Sequence, residues 1–72
     1  MKTNYDKKMI FLKEIRSAIQ ATLDFLELTL KADYFAFSEQ KQATIDGVVL
    51  QKKTIELINQ EIEALRLGIQ LG

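Results

Sequence analysis

Seventy-two residues with ten basic and ten acidic side chains, no net charge, and no cysteine, histidine, proline or tryptophan describe one small domain stabilised by apolar burial. The missing thiols and imidazoles exclude disulfides, thiolate or imidazole metal sites and histidine-assisted nucleophilic catalysis. The charge balance argues against strong attraction to nucleic acid or anionic membranes, and a chain this short draws only about 3 to 5 kcal/mol from one core, so oligomerisation is the expected additional support.

The charges are unevenly placed. Residues 1–16 carry Lys2, Lys7, Lys8, Lys13 and Arg16 against Asp6 and Glu14. Residues 17–46 reverse the sign, with Asp24, Glu27, Asp33, Glu39 and Asp46 against Lys31 and Lys41. Exposed pairs contribute little, so these blocks are read as solvated faces. No apolar run approaches the ~20 residues that span a bilayer, and the opening residues do not form a signal peptide. A cytoplasmic location is expected.

Thr3, followed by Asp6, has the spacing of a capping box and predicts a helix over about 4–31. Its inner seam is Tyr5, Met9, Leu12, Arg16, Ile19, Leu23, Leu26 and Leu30, in the alternating steps of four and three that a heptad requires. A second stripe, Phe11, Ile15, Ala18, Thr22 and Phe25, widens the apolar face beyond one seam and implies two partner surfaces. One is the second helix, and the other is a second subunit, as in four-helix bundles built from hairpins.

Residues 32–38 connect the helices and hold Tyr34, Phe35 and Phe37, half of the six aromatic residues. The favoured reading is that they plug the open end of a bundle. The alternative is a sticky surface for a protein partner.

Ser38 is the expected N-cap of a second helix over about 39–67, with Glu39 at its favourable dipole end. The seam here is Val48, Gln51, Ile55, Ile58, Ile62, Leu65 and Ile69, with Leu50, Leu57 and Ala64 beside it. Arg66 and Gly68 mark the expected C-terminus. Each helix would be roughly 40 Å long at 1.5 Å per residue, which favours an antiparallel hairpin.

Four residues break the pattern. The Asp46-Gly47 pair is a turn signal that would divide the chain into three helices near 4–31, 36–45 and 48–67. The favoured reading places Ala43 and Gly47, four apart, on one face of a continuous helix where their small size admits close approach; an exposed glycine without a role is the third possibility. Arg16 and Gln51 are polar at seam positions, where they could meet across an interface and fix register. Arg16 is also long enough to pack its stem and reach solvent.

No chemistry-bearing motif is present. Ser17 and Ser38 have no histidine to activate them, Glu56, Glu61 and Glu63 read as a solvated face, and Gly47, Gly68 and Gly72 form no phosphate loop. No enzyme activity and no cofactor are expected. The fold class is all-α, an antiparallel helical hairpin assembling as a dimeric four-helix bundle or higher helical oligomer. The expected function is a small interaction protein, such as an adaptor, inhibitor or regulatory subunit, contacting itself and another protein. A first alternative is an oligomer that binds a nucleotide-like anion between subunits, with Lys7, Lys8, Lys52 and Lys53 on phosphate and Tyr34 or Phe35 stacked on the base. A second is a dimeric helical RNA- or DNA-binding regulator.

Overall fold

A computed structural model describes residues 3–71, with side chains described through Gly68. Two helices form an antiparallel hairpin: α1, Asn4–Ala32, and α2, Ser38–Leu71, joined by a turn over residues 33–37. No strand is present among the described residues, and no helix among them is long and apolar enough to cross a membrane.

The start of α1 follows from its sequence. The Thr3 hydroxyl accepts the Asp6 N–H at 3.2 Å, and the Asp6 carboxylate accepts the Thr3 N–H at 3.3 Å, so two donors that lack helical partners satisfy their bonds locally. The helix ends at Asp33, whose backbone is left-handed at φ 56° and whose N–H donates to the Thr29 carbonyl at 3.1 Å. Aspartate tolerates this conformation better than most residues with a Cβ, and Lys41 across the turn pairs with its carboxylate at 3.1 Å.

Both ends of α2 depart from expectation. Ser38 is the first helical residue rather than the cap; the first turn closes on the Phe37 carbonyl, which accepts from Gln40 N–H at 3.2 Å and Lys41 N–H at 3.4 Å. At the other end α2 runs through Gly68 to Leu71. A glycine terminates a helix by adopting positive φ, and no described glycine does so. The three-helix alternative is also overturned, because α2 is continuous through Asp46-Gly47. One glycine costs about 1 kcal/mol in a helix, and the flanking turns of a packed 34-residue helix exceed that.

Three contacts set the antiparallel register: Gly47 beside Leu26, Arg16 to Asn59, and Lys8 to Glu61. The most buried side chains are Met9 and Leu23 from α1 and Val48 and Ile62 from α2. Leu12 and Ile19 from α1 and Ile55 and Ile58 from α2 are half-buried along the same seam, where Arg16 is the half-buried polar interruption.

This interior is thin. Leu23, the best covered, retains 5% of its surface. The radius of gyration is 16.4 Å, against about 11 Å for a compact chain of this length. The accessible surface is 5708 Å², about 1,100 Å² above that of a folded monomer of equal mass.

Candidate functional site

The two sides of the hairpin differ in chemistry. One is lined by Lys13, Arg16, Ser17, Gln20, Asp24 and Asn59, which border an open groove of about 620 Å³. The Arg16 guanidinium donates to the Asn59 side-chain oxygen at 2.8 Å on this side. Within one hairpin Arg16 therefore meets Asn59 and not Gln51. Gln51 is half-buried on the seam about two turns from that height.

The opposite side is apolar. Asn4, Lys8, Glu61, Ala64 and Gly68 line one groove of about 450 Å³ at the end away from the turn, floored by Tyr5 and Leu65. Stepping by sevens from Asn4 gives Phe11, Ala18 and Phe25; stepping back by sevens from Ala64 gives Leu57, Leu50 and Ala43. Residues seven apart share a helix face, so both stripes lie on the side of this groove. Phe11 is 59% exposed, Phe25 67%, Leu50 60% and Leu57 55%. Between them run Ile15, Thr22 and Thr29 on α1 and Gly47 and Thr54 on α2, the positions seven on from Lys8 and seven apart from Glu61.

The threonines and the charged pair on this side already have partners within the hairpin. The Thr22, Thr29 and Thr54 hydroxyls donate to the carbonyls of Ala18, Phe25 and Leu50 at 3.2, 2.9 and 2.9 Å. The two charges, Lys8 and Glu61, pair with each other across the helices at 3.6 Å. Covering this surface would strand no hydroxyl and no lone charge, and an unmet buried polar group is the usual obstacle to burying a helix face.

Gly47 fits this arrangement. A Cβ there would lie 3.3 Å from Leu26 Cδ1, so the missing side chain lets α1 pack close to α2. The neighbour that approaches is a side chain of the same hairpin. Ala43, one turn earlier, is exposed on the apolar side.

The aromatic turn does not plug the hairpin. Tyr34 is 94% exposed, Phe37 is 64% exposed and Phe35 is half-buried. Five residues are consumed in reversing the chain, which leaves no length to fold back over the seam. The lysines are likewise not convergent. Lys8 stands on the order of 20 Å along the axis from Lys52, and the turn lies roughly 40 Å from Lys8. Lys7 and Lys53, next in sequence to Lys8 and Lys52, are exposed. Within one hairpin these residues do not form the phosphate-and-base arrangement considered from the sequence. Among the described residues no group of three acidic side chains is placed to hold a metal ion.

The apolar side could be read in part from the sequence, as the second stripe of α1. Its extension onto α2 was visible only as Leu50, Leu57 and Ala64 beside a seam, and the satisfied threonines left no sequence signal. Asn59 was missed because a polar residue flanking a helix seam is the ordinary case. No protein-family model, curated protein or solved structure matches the chain.

Proposed function

We propose that this chain is a small non-enzymatic interaction protein that works as a homodimeric four-helix bundle, two hairpins joined through their apolar sides. It acts as an adaptor, inhibitor or regulatory subunit by protein–protein contact. The observation that carries the reading is the continuous apolar side of Phe11, Ala18, Phe25, Leu50 and Leu57, in which every threonine hydroxyl is bonded within its own helix. Monomeric proteins seldom leave so contiguous an apolar surface open.

Size and charge support a second copy as the cover. The hairpin's 53 by 21 Å outline offers on the order of 1,100 Å² to a partner, more than the ~800 Å² per side of a stable interface. Pairing of Lys8 with Glu61 leaves this surface without net charge, so two identical copies do not repel. Tyr34, Phe35 and Phe37 remain at the ends of such a bundle, where a large aromatic area is available to a second protein.

Absolute mass by light scattering across a dilution series tests the assembly. The reading requires twice the chain mass of 8.3 kDa, with helicity and melting temperature falling together on dilution, because association that favours the native state makes stability depend on concentration. A folded particle of 8.3 kDa at every concentration refutes it.

A further inference from the structure

If the hairpins pair through their apolar sides, two symmetric arrangements are open: turns at the same end, or turns at opposite ends. We infer that the second copy docks with its turn at the opposite end, so that each end of the bundle combines the aromatic turn of one chain with the groove around Tyr5 and Leu65 of the other. This rests on the dimer proposed above and adds its orientation, on two independent observations.

The first is bulk. In the register set by Arg16 and Asn59, Phe11 stands level with Ala64, Ala18 with Leu57, Phe25 with Leu50, and Ala32 with Ala43. With turns at the same end each level meets its own copy. Two phenylalanines and two leucines then fill one layer, and four alanines fill the next. Helices packed at a near-constant 8–10 Å cannot accommodate such neighbours without a void or a splay. With turns at opposite ends the two-fold axis passes near Ala18, the midpoint of α1. The Phe11 level then meets the Phe25 level, and every one of the three central layers mixes large and small side chains. The bulk is evened out along the bundle.

The second is charge. Residues 3–16 and 57–71, the half away from the turn, carry five basic and four acidic residues, and Lys2 precedes them in the chain. Residues 17–56, the half with the turn, carry four basic and six acidic residues. The hairpin is therefore positive toward one end and negative toward the other. Turns at the same end would set like halves against each other, and turns at opposite ends set positive against negative, which selects orientation even where each exposed pair is weak.

The test uses the absence of native cysteine. Ala36→Cys places a single spin label on the turn, away from the apolar side, and the label-to-label distance is read by dipolar electron paramagnetic resonance alongside mass by light scattering. Opposite ends predict about 50 Å, twice the rise from the midpoint of α1 to the turn. A distance of roughly 10–20 Å at dimeric mass, the spacing of adjacent helices, overturns the orientation and leaves the dimer standing. A monomeric mass with no dipolar signal overturns the dimer and with it this inference. Tyr34→Cys labelled in the same way guards against a local effect at position 36, and agreement of the two distances is required.

Discussion

Replacing Phe25 with alanine is the sharpest probe of the apolar side. A phenylalanine offers on the order of 200 Å² for burial. With 67% of Phe25 open on the hairpin, about 130 Å² per chain is left for a partner to cover, or ~3 kcal/mol at 25 cal/mol per Å². Alanine retains about a third of that, so the loss is about 2 kcal/mol per chain and about 4 kcal/mol per dimer, roughly a thousandfold in Kd. The hairpin itself loses little, since alanine is the better helix former by about half a kcal/mol. Sedimentation equilibrium and circular dichroism at matched concentrations read the two effects separately, with Ser17→Ala on the polar side as control. An unchanged dissociation constant refutes the assignment of this side as the interface. Loss of helicity while the mass stays dimeric refutes the claim that Phe25 serves the partner rather than its own hairpin.

Three further substitutions follow from the fold, each read by urea denaturation at fixed chain concentration. Gly47→Ala is expected to be nearly neutral, because about 1 kcal/mol of helix propensity is offset by the 3.3 Å approach to Leu26 Cδ1. Gly47→Leu is expected to cost at least 2 kcal/mol, and a tolerated leucine would show that the close approach has no importance. Asp33→Gly is expected to stabilise by about 0.5 to 1 kcal/mol by relieving the left-handed backbone at φ 56°; a loss would mean that the pair with Lys41 outweighs the strain. Arg16→Leu is expected to gain about 1 kcal/mol by making the half-buried seam apolar at that position, and a loss of that size would instead assign the dominant role to the bond with Asn59.

The hairpin itself was legible because its signals are redundant. The seam from Tyr5 to Leu30 and the seam from Val48 to Leu65 each repeat a heptad several times, and the Thr3–Asp6 spacing marks the start of α1 independently. Errors arose where one residue carried the whole signal. Gly68 resembled a stop, yet a glycine ends a helix only through a backbone conformation that it does not adopt here. Ser38 resembled a cap, yet the Phe37 carbonyl begins the helix one residue earlier. The exposure of the aromatic turn was not legible, because composition reports that Tyr34 and Phe37 are apolar but not that a single hairpin leaves them open. The partner of Arg16 was unreadable because it depends on the stagger of α1 against α2, which packing decides.

The inward bonding of Thr22, Thr29 and Thr54 sets the terms on which this surface can change. If a second copy covers this surface as proposed, the threonine donors are already engaged, and the fit is expected to depend chiefly on side-chain volume. One alanine enlarged to leucine at position 18 or 43 is then expected to weaken the association. On that reading the order of large and small side chains along these stripes constrains substitution more than residue identity does.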